Sequence, residues 1–234
     1  MCRMIGFLST QTRAVVPYFR ELQRQAESGW GHPHATGWGA AVYGYSACWL
    51  DRHLGPVYEQ AYDGPASASA AVLHARKASD TSTAGSVESL HPFQFSVQAI
   101  VWSFAHNGTI WDVPAEWRRA TDSKALVDLL EQQMKNGKPA VESLRSVVSL
   151  LRDTCLHSSL NCFLMCQTEF LAVRSSDEEH QLYYRFSDHL FEASTEVPSG
   201  TADSTYDGWM ELGQEQVLCA TALNGRIGLE MLTL

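Results

Sequence analysis

The chain has 234 residues, enough for one full-sized domain and short for two. Hydrophobic residues make up 45% of it and charged residues 18%, which supports an ordinary buried core and excludes intrinsic disorder. With 17 basic against 26 acidic residues the formal charge is −9, and no basic cluster offsets it; a nucleic acid or an anionic membrane, both of which need a basic footprint, is excluded as partner.

The first residues, MCRMIGFLST, hold a short apolar run of strand length and lack the charged-then-apolar order of a signal peptide. Pro17 to Glu27 carries Tyr18, Leu22 and Ala26 four apart, which predicts an amphipathic helix opened by its proline. Gly37 to Tyr45 is Gly-rich and then alternates, as a turn running into a strand would. AVLHA near residue 73 and VQAIVWSFAH ending at His106 are two further predicted strands. Asp122 to Asn136 has helical periodicity with Gly137 as its stop, and Pro139 to Arg152 repeats the pattern through Val141, Leu144, Val148 and Leu151. Strands are predicted again at NCFLMC, FLAVR, LYYRF and QVLCA, and residues 198–208 as an exposed loop. Strands, two central helices and more strands indicate a layered α+β domain rather than a βαβ repeat. No apolar run approaches the roughly 20 residues of a membrane span, so a soluble, cytoplasmic protein is expected.

None of the six cysteines forms a CxxC pair, and no two pairs have zinc-ligand spacing. Cys162 and Cys166 share one face of a predicted strand and read as small core residues. His32 and His34 are the nearest approach to a metal pair, but no third ligand has matching spacing, so no metal is expected.

Cys2 is different. Its small side chain suits removal of Met1, which would leave a thiol and a free α-amine on one residue. An α-amine with a pKa near 8 can serve as the base that a thiol nucleophile needs. Three other segments carry matching chemistry: HARKAS at 74–79, HPF at 91–93 and HNG at 106–108. Asn107 offers a side-chain amide and Gly108 an unhindered N–H for an oxyanion. Arg76 suits a bidentate carboxylate, and Asp122 is a candidate partner for an ammonium group. Each piece has a plainer reading. HNG is a common turn, an arginine is usually solvated or paired, and Asp122 at a helix start is usually an N-cap.

Taken in order, MCRMIGF, TGWG at 36–39, HARKAS, HPF, FAHNGTI at 104–110 and TDSKAL at 121–126 resemble the class II glutamine amidotransferase domain of the N-terminal-nucleophile (Ntn) hydrolases. NCFLMCQTEFLAVR, YYRF and EAST resemble the late strands, and a loop that often reads Ala-Ser-Glu, of its stand-alone branch, related to the ergothioneine-pathway γ-glutamyl hydrolase. The resemblance covers nearly the whole chain as a single domain, 1–234. It implies a four-layer αββα sandwich of two antiparallel sheets between helices, with Cys2 as nucleophile and its α-amine as base. It also implies Asn107 and Gly108 as the oxyanion hole, with Arg76, Ser79, His91, His106 and Asp122 around the substrate, and no cofactor or metal. The reaction it implies is cleavage of a γ-glutamyl amide, in a small conjugate or in glutamine, through a γ-glutamyl thioester. The alternatives are a glutaminase subunit supplying ammonia to a separate synthase, or a catalytically silent scaffold subunit. The sequence departs from the family at Thr36, where aspartate is frequent, at Lys124, where glutamate is common, and at Thr195-Glu196, where the usual step is Ser-Glu.

Overall fold

In the computed structural model, which describes every residue except 1, 31–32, 46, 79–84, 118, 120, 177–179 and 199–207, the short apolar runs pair as antiparallel strands. β1 (Arg3–Ala14) leads into α1 (Val16–Ser28), followed by β2 (Gly37–Tyr43), β3 (Cys48–Leu54) and β4 (Ser67–Arg76). β5 (Phe93–Val97) and β6 (Ile100–Asn107) form a hairpin ahead of α2 (Asp122–Lys135) and α3 (Ala140–Thr154). The chain returns to strands with β7 (Asn161–Met165), β8 (Glu169–Arg174), β9 (Tyr183–Ser187) and β10 (Leu190–Ser194). It finishes with β11 (Met210–Glu211), β12 (Gln216–Leu223) and β13 (Arg226–Thr233).

One sheet has seven strands in the order β11-β9-β10-β1-β4-β2-β3, and the other six in the order β13-β12-β8-β7-β6-β5. Their inner faces meet through Met4, Leu8, Phe163, Phe170 and Phe191. On β1 the alternation of a strand sends Met4 and Leu8 into that inter-sheet layer, and Ile5 and Phe7 outward against α1. On the opposite side, α2 and α3 pack Leu126, Leu130, Leu144 and Leu151 onto the six-stranded sheet, together with Cys162 and Cys166. The result is the expected αββα sandwich. Because both sheets are covered on both faces, β2 and β7 are buried along their whole length instead of alternating. The Gly-rich opening at Gly37 therefore lies within β2 and not in a turn before it.

Local chemistry explains the helix ends. α1 carries its proline in the first turn and buries Phe19, Leu22 and Ala26; Tyr18 is half-buried and stacks on Phe7 at 4.4 Å. The N-cap of α2 is Thr121, whose hydroxyl accepts the Lys124 N–H at 3.1 Å; Asp122 is the first helical residue, which removes its plainer reading as the cap. Gly137, at φ +88°, follows the C-terminal end of α2 as a left-handed residue, where glycine carries no Cβ penalty.

The predicted single strand VQAIVWSFAH is two strands. Gln98 and Ala99 both take positive φ, 50° and 64°, and close the β5–β6 hairpin. Two consecutive left-handed residues form the turn that matches sheet twist, but Asn-Gly is its usual signature and Gln-Ala gives no sequence signal. Each non-glycine residue there costs roughly 1 kcal/mol or more. Replacing Gln98-Ala99 by Asn-Gly should stabilise the fold by about 1 kcal/mol, a rise of roughly 2–4 °C in Tm for a chain of this size. An unchanged or lower melting temperature in a calorimetric scan would show that the turn is not under strain.

Candidate active site

The ends of three strands and one helix converge on a cavity of about 170 Å³. Cys2 immediately precedes β1, Arg76 closes β4, Asn107 closes β6 and Asp122 opens α2; all four line it, with His91, His106 and Gly108. β1 and β4 belong to one sheet and β6 to the other, so the cavity sits where the two sheets open at one end of the sandwich.

Cys2 and Asn107 are joined directly. The Cys2 N–H donates to Asn107 Oδ1 at 2.8 Å. That bond fixes the orientation of the amide and leaves Nδ2 as its free end, buried and without a hydrogen-bond partner among the described residues. A buried unpartnered donor costs about 1–3 kcal/mol, which an acceptor entering the cavity would recover. The Cys2 thiol lies 3.8 Å from the Lys77 carbonyl. Burial pushes its pKa above the ordinary thiol value, so the resting sulfur is protonated and needs a base. Gly108 is confined: a Cβ there would lie 1.9 Å from the Ser159 carbonyl oxygen, so the chain passes only as glycine.

The segment before β1 is held from the other side. Arg3, almost wholly buried, pairs with Glu196 at 2.6 Å and donates to the Trp30 carbonyl; its other terminal nitrogen reaches the Cys2 carbonyl at 3.4 Å. Glu196 also accepts the Trp30 N–H at 2.9 Å. Thr195 grips the next residue twice, accepting the Met4 N–H on its hydroxyl and donating its own N–H to the Met4 carbonyl. The Thr-Glu step thus anchors the N-terminal segment by side chain and backbone together.

Below the cavity lie three buried imidazoles. His91 Nδ1 and His74 Nε2 are 3.2 Å apart, one donating to the other, and His91 Nε2 has no partner among the described residues. His106 Nε2 faces the Ser159 carbonyl at 3.0 Å and therefore carries the proton, while Nδ1 accepts the Ser123 hydroxyl at 2.9 Å. Burial is the main cause that holds all three neutral: His74 falls to about 3, with Arg76 contributing, His91 falls well below its ordinary value, and His106 is lowered. Asp122 accepts the Ile110 N–H at 2.7 Å and the Ser123 N–H at 2.8 Å, which aims its carboxylate from the start of α2. Ser79 lies outside the described residues, as does His32 of the histidine pair. Asp51, His53 and Asp63 have potential ligand atoms within 4.8 Å of one another, but none of them lines the cavity.

A sequence profile for class-II glutamine amidotransferases matches residues 1–196. The chain belongs to the class-II glutamine amidotransferases. Among solved structures it is similar to glutamine phosphoribosylpyrophosphate amidotransferase from B. subtilis, at TM-score 0.69 and 14% identity, covering 98% of this chain and 49% of that one. It is also similar to a predicted glutamine amidotransferase from Pseudomonas aeruginosa, at TM-score 0.62 and 18% identity, covering 93% and 96%. A Haemophilus influenzae protein provisionally named a glutamine amidotransferase is 23% identical over 195 residues, 77% of this chain and 65% of its own length. The chain thus spans less than two thirds of that relative and about half of the B. subtilis structure. Among the described residues, no helix is long and apolar enough to cross a membrane.

The places where this amidotransferase departs from its family's habits have local explanations. Thr36 accepts the Ala78 N–H on its hydroxyl at 3.0 Å and ties down the segment after Arg76. Lys124 pairs with Asp128 at 3.1 Å and does not line the cavity. Sequence reasoning did not single out Ser89, Thr109, Ser123, Ser158 and His180, which also line the cavity. Their residue types alone carry no signal; Ser123 bonds His106, and the Ser158 hydroxyl accepts the Thr109 N–H at 3.0 Å.

The neutral histidines make a prediction about pH. Their folded pKa values lie below the unfolded value near 6.5, so below that pH the unfolded chain binds more protons. Stability is therefore complete above pH 6.5 and is lost as pH falls. From pH 7 to 5, His74, with its pKa at about 3, should remove about 2 kcal/mol from the unfolding free energy measured by urea titration, and His91 shifts it further in the same direction. A flat profile would contradict the neutral buried pair.

Proposed function

We propose that this amidotransferase domain, a single unit over 1–234, is an N-terminal-cysteine hydrolase that cleaves a γ-glutamyl amide bond through a γ-glutamyl thioester. The observation that carries the reading is the divided use of Asn107, whose Oδ1 holds the Cys2 nitrogen while its Nδ2 stays buried and unspent at the cavity. Once Met1 is removed, that nitrogen is the α-amine, held beside its own thiol. The protonated resting thiol fits an enzyme that supplies its own base.

The Cys2 thiol gives its proton to the α-amine and the sulfur adds to the δ-carbonyl of the glutamyl group. The oxyanion takes the Asn107 Nδ2 and Gly108 N–H donors. Collapse breaks the C–N bond, and the leaving amine takes the proton from the α-ammonium. Water then adds to the thioester, giving its proton to the same amine; the C–S bond breaks and glutamate leaves as the thiol is restored. Arg76 clamps the α-carboxylate and Asp122 receives the α-ammonium. His91 lines the glutamyl site, and its buried Nε2 has no hydrogen-bond partner among the described residues; Ser79, outside the described residues, is assigned to the same site by the family resemblance alone. His106, both of whose ring nitrogens are engaged within the protein, acts by fixing the β6 end against α2.

At about 170 Å³ the cavity is small against the 300 Å³ and more of a drug-sized site, so it suits the glutamyl half and leaves the amine at the mouth. That favours a small γ-glutamyl conjugate or glutamine, distinguished by residues at the rim. In the glutamine case the released ammonia would pass to a separate synthase.

Glutamate release from glutamine and a panel of γ-glutamyl amides is the test. Cys2→Ala should fold and lose essentially all turnover, and Asn107→Ala should lower kcat by about 10²–10³ with little change in KM. Arg76→Ala should mainly raise KM, by about tenfold or more. Near-normal turnover in folded Cys2→Ala would overturn the assignment.

A further inference from the structure

A second cavity, of about 630 Å³, lies on the outer face of the seven-stranded sheet, between α1 and the strands β9 and β10. Its volume falls in the range of small-molecule sites, roughly 300–1,000 Å³. Ile5 and Leu190 give it an apolar floor, and the Tyr18 and Trp209 rings line its sides.

Its charge runs against that of the chain. Arg13, Arg20, Arg24 and Arg185 line it, against two carboxylates, Glu21 and Glu192, in a protein whose net charge is −9. Both carboxylates are engaged within the cavity wall. Glu21 pairs with Arg24 at 2.6 Å, and Glu192 pairs with Arg185 and accepts the Tyr18 hydroxyl at 2.7 Å. Among the described residues, Arg13 and Arg20 have no carboxylate at ion-pair distance.

Among the described residues, the unspent polar atoms of the wall are donors. Arg13 Nε is buried without a hydrogen-bond partner among them. Trp209 is only 5% exposed, yet its Nε1 also has no partner among the described residues, whereas a buried tryptophan N–H usually finds one. The Arg185 guanidinium lies 5.1 Å from the centroid of the Trp209 ring, so that ring already supports a flat cation on one of its sides. Free donors, surplus positive charge and aromatic walls call for a ligand that supplies acceptors, negative charge and a flat ring.

We propose that this cavity is a binding site for a flat-ringed organic anion, whose carboxylate or phosphate is held by Arg13 and Arg20 and whose ring lies between Tyr18 and Trp209. The site is separate from the Cys2 cavity and does not depend on the reaction assigned to it.

Isothermal titration of the full chain with adenosine 5′-monophosphate and with 2-naphthoate, beside neutral adenosine and 2-naphthamide, tests this. At least one anion should bind one to one, tenfold or more tighter than its neutral counterpart. Preference for the nucleotide would mark the group as phosphate, and preference for naphthoate as carboxylate. Arg13→Ala and the more exposed Arg20→Ala should each weaken that anion about tenfold and leave ligand-free glutamate release unchanged. Failure of both anions to bind, equal binding of the neutral molecules, or full affinity in both folded variants would overturn the proposal.

Discussion

The hydrogen bond from the Cys2 nitrogen to Asn107 Oδ1 ties the head of one sheet to the end of the other, and the chemistry proposed for the cavity follows from it. One amide serves two purposes. Its oxygen sets the position of a nitrogen that becomes basic when Met1 is gone, and its nitrogen is left facing the place where an oxyanion would form. An acceptor and a donor about one amide apart are thus set by a single rotamer.

The surrounding fold makes that rotamer stable. β1 occupies the middle of its sheet between β10 and β4, and its apolar residues alternate between the inter-sheet layer and α1. With both faces covered, the strand has no freedom to slide by one residue without turning Met4 and Leu8 out of the core. The buried Arg3–Glu196 pair, costly to desolvate, contributes location more than stability: it fixes the residue next to Cys2. Neutral histidines beneath the cavity complete the setting. They fill space with polar atoms and add no positive charge beside Arg76, the proposed carboxylate clamp.

Much of this was legible in the sequence because the site is built from short segments that end strands. MCRMIGF, HARKAS, FAHNGTI and TDSKAL each carry their candidate residue at a strand or helix terminus, and the structure brings these residues to one cavity. What stayed hidden was non-local or lacked a residue-type signal. Thr195 and Met4 are 191 residues apart, and nothing near either announces the other. The Gln98-Ala99 turn has no glycine or asparagine, so two strands read as one. β3 and β13 carry no strand signal in the sequence because their residues are partly or largely exposed and mix charge with apolar positions. The arginine-lined cavity beside α1 draws on β1, α1, β9 and β10, and only the packed sheet assembles it.

The proposed catalysis runs through Cys2 as the first residue of the mature chain. The most direct measurement is intact-mass and peptide mass spectrometry of active protein after inactivation with an electrophilic glutamine analogue. One adduct per chain is expected, on the sulfur of a Cys2 that carries a free α-amine. Full activity in protein that retains Met1, or an adduct on any other residue, would contradict it.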